Sequence, residues 1–223
     1  MHRQPQDGHL RAMERVHHAS VEAYFQSLSN AIPQLPYASI EQIAAAISRA
    51  VGEGRTIFVF GNGGSAATAS HVVCDLGKTA IADSAGKRPK VMALNDNLPL
   101  MTAWANDAGY EHVFSEQLKN FVAPRDVVFA FSCSGDSPNI LQALKTARDA
   151  GAITVGTAGY DGGQMKALCD ICAVIPSSNM QLIEDLQHAV AHSIFSVVRE
   201  NLRQAYSLAQ VTSRAAGAGR IPK

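Results

Sequence analysis

Two short loops and two helical stretches hold the residues of this chain that could do chemistry. The first loop, Gly61-Asn62-Gly63-Gly64-Ser65, follows the apolar run Thr56-Ile57-Phe58-Val59-Phe60. The second, Ser132-Cys133-Ser134-Gly135-Asp136-Ser137, follows Asp126-Val127-Val128-Phe129-Ala130-Phe131. Each opens into a helix-like stretch, so backbone N–H groups and small hydroxyls converge where the helix dipole is positive. Neither loop carries Lys or Arg. Neutral donors of this kind suit a sugar monophosphate better than a nucleoside triphosphate. The first loop also lacks the G-x-G-x-x-G spacing of a dinucleotide site and the Lys of a P-loop, so no nucleotide cofactor is expected. A glycine-rich turn alone also serves plain packing, and serines also cap helices. Together the loops point to an anion, with Asn62, Gly63, Gly64, Ser65, Ser132, Cys133, Ser134 and Ser137 as its candidate contacts.

The helical stretches supply titratable groups. His71 and Asp75 are spaced i,i+4 and share a face. They start six residues after Ser65, less than two turns beyond the proposed anion site. That position favours a functional pair over a surface ion pair. Near the other end, Glu184, His188 and His192 recur at i, i+4 and i+8 as a polar stripe. A solvated face or satisfied interface histidines would give the same pattern. Asn95, Asp96 and Asn97 follow the second strand; they either bond sugar hydroxyls, Asp96 foremost, or start the next helix as an Asx-turn. Asp161 reads as a cap and Trp104 as core.

From residue 55 strand and helix alternate. Strands are expected at 56–60, 90–94, 126–131, 153–157 and 171–175. Helices are expected at 64–76, 98–106, 110–121, 137–150 and 162–168, with a long one over 180–205. The strands are nearly continuous in apolar residues, as strands buried on both faces should be. This predicts an α/β, three-layer αβα sandwich around a five-stranded parallel flavodoxin-like sheet. In the order 2-1-3-4-5 both loops meet at the switch point, off the carboxyl ends of strands one and three. Two additional N-terminal helices precede the sheet, over 9–32 and 39–51, the second capped by Ser39. The domain reading is a tail at 1–8, one domain over 9–205 and a C-terminal tail at 206–223.

At 223 residues the chain can bury a full core. Its 19 Lys+Arg balance 19 Asp+Glu, so no overall field draws nucleic acid or anionic membrane, and neither is an expected partner. No run approaches ~18 apolar residues and no signal-peptide core follows Met1, which predicts a soluble, cytoplasmic protein. Four cysteines are too scattered for a disulfide framework. Cys169 and Cys172 have redox-motif spacing, but in a strand they would face opposite sides of the sheet, as two buried small hydrophobes.

Phe60-Gly61-Asn62-Gly63-Gly64-Ser65, the Ser132–Ser137 loop and Gly159-Tyr160-Asp161-Gly162-Gly163 together resemble the SIS (sugar isomerase) fold. Over roughly residues 20–202, with Asn106-Asp107 also fitting, the chain is most similar to the sedoheptulose 7-phosphate (phosphoheptose) isomerases. The resemblance implies phosphate contacts from Asn62, Ser65, Ser132, Ser134 and Ser137, with Cys133 standing where the family commonly has Thr. It implies a homotetramer whose opening helices build subunit contacts. It also implies catalysis by Asp75, where the family has Glu, and by His192, with Glu184 where the family has Gln. His188 has no counterpart role and reads as structural.

Aldose–ketose isomerisation moves a proton between adjacent carbons through an enediol. It needs a carbon base, an oxygen acid/base and help for the oxyanion. Asp75 or Glu184 is the expected base and His192 the oxygen proton shuttle. Two histidines and two carboxylates also make an N₂O₂ set for a divalent metal, zinc first. Some family members hold zinc at the matching positions, here His71, Asp75, Glu184 and His192. The expected function is therefore interconversion of sedoheptulose 7-phosphate and a D-glycero-D-manno-heptose 7-phosphate. The alternatives are a non-catalytic SIS phosphosugar-binding protein with a regulatory or replication-initiation role, and an isomerase of a different sugar phosphate. The non-catalytic relatives tend to lack the helix carboxylate and the final histidine, and this chain has Asp75 and His192.

Overall fold

The computed structural model describes residues 20–78 and 88–218. The expected tail at 1–8, the first part of the opening helix and the last five residues lie outside this range. Five parallel strands form one sheet: β1 (Thr56–Phe60), β2 (Lys90–Ala93), β3 (Val127–Ser132), β4 (Ile153–Ala158) and β5 (Ile171–Val174). Their order is β2-β1-β3-β4-β5, with Phe60 in register with Ala130. The switch point therefore lies between β1 and β3, as the sequence predicts.

Eight α-helices are described: α1 (Val21–Ala31), α2 (Tyr37–Glu53), α3 (Gly64–Lys78), α4 (Leu98–Asp107), α5 (Ser115–Phe121), α6 (Pro138–Asp149), α7 (Met165–Leu168) and α8 (Met180–Ala218). They cover both faces of the sheet. On one face α2, α3 and α8 bury Ile43, Ile47, Val72, Leu76, Ile183 and Val190 against Val59, Phe129 and Phe131. On the other, α5, α6 and α7 pack Leu118, Ile140, Leu144 and Met165 against Phe58, Phe60 and Val128. Alternation along each strand sends successive side chains to opposite cores, which explains the continuous apolar runs. The buried Asp126 carboxylate accepts N–H groups from Thr56 and Ala123, tying β1 to the entry of β3.

Several boundaries differ from the sequence reading. α2 starts at Tyr37, and Pro36, not Ser39, is its N-terminal flanking residue; no side chain caps it. The stretch 110–121 is broken into a 3₁₀ turn at Tyr110–His112 and α5. Just after that turn, the side chain of Gln117 donates to the carbonyls of Val113 and Leu94. The helix at 162–168 shrinks to α7, because Gly159–Gly163 is a turn. α8 runs on to Ala218, past the end expected at 205.

Cys169 and Cys172 do not straddle the sheet. Cys169 ends α7, before β5 begins, and both side chains pack against the same core. The Cys169 thiol hydrogen-bonds to Cys172, which raises the Cys169 pKa and lowers that of Cys172. Both remain free, part-buried thiols.

Candidate active site

The two loops meet where β1 and β3 end, and side-chain amides join them. Asn62 donates to Asn139 Oδ1 at 2.9 Å, and Asn139 donates back to Asn62 Oδ1 at 2.8 Å. The Tyr110 hydroxyl adds a donor to the same Asn62 oxygen at 3.1 Å. Asn139 is buried in the first turn of α6, so this pair fixes the first loop to the helix that follows the second. Asn62, expected to face a phosphate, has its amide engaged in that joint.

A second joint sits beneath. Gln187 of α8 is fully buried. Its Oε1 accepts from the Ser65 hydroxyl at 3.3 Å, and its Nε2 donates to the carbonyls of Ser132 at 3.3 Å and Thr157 at 3.0 Å. One side chain thus ties the first loop to the ends of β3 and β4. Ser132 Oγ accepts from the Gly135 N–H and Ser134 Oγ from the Asp136 N–H, which curls the second loop on itself. Ser137 flanks α6 without a side-chain capping bond. Gly135 has φ 71°, and a Cβ there would lie 2.2 Å from the Gly162 carbonyl oxygen. Only glycine lets the loop sit against the Gly159–Gly163 turn. Asp96 accepts from Asn95 and Ser70, which pins the end of β2 to α3.

α3 and α8 run side by side in the same direction. Gly64 meets Glu184, Ser65 meets Gln187, Thr68 meets His188, and Asp75 meets His192. His71 Nε2 and His192 Nε2 are 2.8 Å apart. Asp75 Oδ2 lies 3.5 Å from the first and 3.6 Å from the second. The His188 ring completes a cluster, with centroids 4.6 Å from both His71 and His192. Among the described residues, His71, His188 and His192 form a group whose potential ligand atoms all lie within 4.8 Å of one another. Burial, then the two neighbouring rings, hold the His188 pKa below its ordinary value. The side chains of His71 and His192 are 43% and 50% exposed, so the cluster opens to solvent.

Glu184 lies elsewhere on α8. Its Oε1 would be 2.5 Å from a Cβ on Gly64 and accepts from the Cys133 thiol at 3.9 Å. Its carboxylate therefore rests at the start of α3, at the loop end of the crevice. Burial and then this carboxylate push the Cys133 thiol up to about 11.

The structure thus brings His71, Asp75 and His192 together, and places Ser65, Ser132, Cys133 and Glu184 around the neighbouring loops. Two participants, Asn139 and Gln187, were missed in the sequence, and a third, His188, was named there but read as structural. His188 was legible only as a spacing. Asn139 and Gln187 look like ordinary polar helix residues until their partners, 77 and 122 positions away, are seen.

A doubly wound α/β domain with two hydroxyl-bearing loops free of Lys and Arg at its switch point and acid–base side chains on adjoining helices defines a class, and residues 22–159 match the SIS domain family. The chain belongs to that family and, within it, to the phosphoheptose isomerases. It is 39% identical over 169 residues to the phosphoheptose isomerase of Bradyrhizobium sp. (strain ORS 278), covering 75% of this chain and 83% of the relative. It is 32% identical over 186 residues to that of Helicobacter hepaticus, covering 83% and 93%. Solved phosphoheptose isomerases from Francisella tularensis and Neisseria gonorrhoeae superpose with TM-scores of 0.74 and 0.75, at 26% and 25% identity. Each covers 81% of this chain, over 96% and 97% of the solved chain respectively.

Proposed function

We propose that this chain is an aldose–ketose isomerase that interconverts sedoheptulose 7-phosphate and a D-glycero-D-manno-heptose 7-phosphate through an enediol. The observation that carries this reading is the Asp75 carboxylate held between His71 and His192, beside two loops of neutral donors. The free N–H groups at the start of α3 and the hydroxyls of Ser134 and Ser137 hold the phosphate, while the Ser65 hydroxyl is committed to Gln187. Asp75 takes the proton from C2 of the aldose, and the C–H electron pair becomes the enediol double bond. His192 delivers a proton to the carbonyl oxygen, O1, and takes one from O2. Return of the carbon proton to C1 gives the ketose. Glu184, nearer the loops, is the second carboxylate in reach of the sugar.

The same donors suit a divalent cation. The His71, His192 and Asp75 atoms, 2.8, 3.5 and 3.6 Å apart, lie on a circle of radius about 1.9 Å, the size required by zinc–nitrogen and zinc–oxygen bonds. Those three residues would hold zinc, which supplies Lewis-acid polarisation of the sugar oxygens. The reading includes a cytoplasmic homotetramer. It is supported by the exposed Val21 and Phe25, one turn apart on α1, which offer apolar surface to a second copy. Among the described residues, no helix is long and apolar enough to cross a membrane.

The test is incubation of the purified protein with a panel of C5–C7 ketose and aldose phosphates. Interconversion of the heptose pair is expected to exceed that of the others, and no turnover of any member would refute the isomerase reading.

A further inference from the structure

His188 sits in the ring of potential ligands in the place where the resemblance would put Glu184. Two helices lie parallel, and each offers an i,i+4 pair on its facing side: His71 and Asp75 from α3, His188 and His192 from α8. Residues four apart lie about 6 Å apart along a helix axis, so each pair spans a single cation. Eight residues, about 12 Å on the axis, separate Glu184 from His192. The Glu184 carboxylate lies against Gly64 and Cys133. The His188 ring is equidistant, at 4.6 Å, from the rings of His71 and His192. Its Nδ1 is 3.4 Å from the Thr68 hydroxyl. That contact leaves Nε2 available as a ligand, in the way outer hydrogen bonds orient metal-binding imidazoles.

We propose that His188 is a metal ligand of this chain, so that zinc is held by three imidazoles, His71, His188 and His192, with the Asp75 carboxylate, and that Glu184 is not a ligand. The exchange of a carboxylate for a neutral nitrogen leaves the complex one charge more positive than an N₂O₂ set. It also leaves Glu184 free at the loop end of the crevice. The ligand set deepens the metal reading above and is independent of which sugar is turned over.

The experiment uses the full chain, stripped with chelator and titrated with zinc against a chromophoric competitor. His188→Ala is expected to weaken zinc binding by about 100-fold or more, and Glu184→Gln to change it by less than about threefold. Equal affinity in His188→Ala and the parent protein, or a loss in Glu184→Gln as large as in His188→Ala, overturns the proposal. X-ray absorption of the zinc-loaded parent protein guards against a variant that misfolds. Three imidazoles on the metal are expected, and two overturn the assignment. Failure to bind zinc at all overturns it too, while the sugar-phosphate panel still judges the isomerase reading separately.

Discussion

Asn62 and Asn139 exchange two amide hydrogen bonds, 2.9 and 2.8 Å long, between the loop after β1 and the first turn of α6. Such a reciprocal pair satisfies a donor and an acceptor on each side and fixes both amide orientations. The Asn139 oxygen also accepts from the Ile140 N–H. The pair therefore ties the first loop directly to the start of α6.

Asn139→Ala breaks that joint and leaves the Asn62 amide short of its partner. Stability should fall by about 1–3 kcal/mol in urea unfolding. KM for the sugar phosphate should rise more than kcat falls, because the loops lose their mutual register.

Gln187→Ala removes the partner of Ser65, Ser132 and Thr157 at once. An apolar hole with unpaired carbonyls should cost about 3 kcal/mol or more, read from the same unfolding curves. Gln187→Glu should not rescue it, since a carboxylate cannot donate to the two carbonyls.

Asp75→Asn keeps the shape of the carboxylate and removes its basicity. kcat should drop about 10²–10⁴-fold, measured by heptose phosphate interconversion, with phosphate-end binding retained. Asp75→Glu should recover more activity than Asn. Unchanged turnover in Asp75→Asn would move the base to Glu184.

Cys133 gives a pH signature. Its folded pKa, about 11, lies above the ordinary 9.0, so the native thiol keeps its proton where the unfolded one releases it. The stability held by the buried thiol is present below pH 9 and is lost as pH rises through 11. Glu184→Gln removes a neighbouring negative charge and should lower that pKa. Alkylation of Cys133 at pH 9 should accelerate, since each unit of fall gives about tenfold more thiolate. An unchanged rate would show that the carboxylate does not face the thiol.

The sheet was legible because its strands are buried on both faces, which writes them as apolar runs, and the loop chemistry stood in plain view after two of them. The i,i+4 spacings of His71/Asp75 and His188/His192 were equally visible. Which histidines face each other was not, because that depends on α3 and α8 packing in parallel across more than a hundred residues. Glu184 shared the stripe with His188 and His192, yet its carboxylate turned to the loops, and spacing alone does not encode side-chain direction. Two of the boundaries that moved, at Pro36 and at Gly162-Gly163, lie at proline or glycine positions, whereas the break at Val113–Phe114 and the extension of α8 to Ala218 do not. At the first two, backbone geometry outweighs periodicity.

The parallel run of α3 beside α8 also limits how this gene can change length. One residue inserted between Ser65 and His71 would swing every donor beyond it by about 100° around the axis, turning His71 and Asp75 away from His192 while leaving the first loop untouched. Point substitutions can retune the crevice, but indels in that five-residue stretch would uncouple the first loop from the His71–Asp75 pair in a single event.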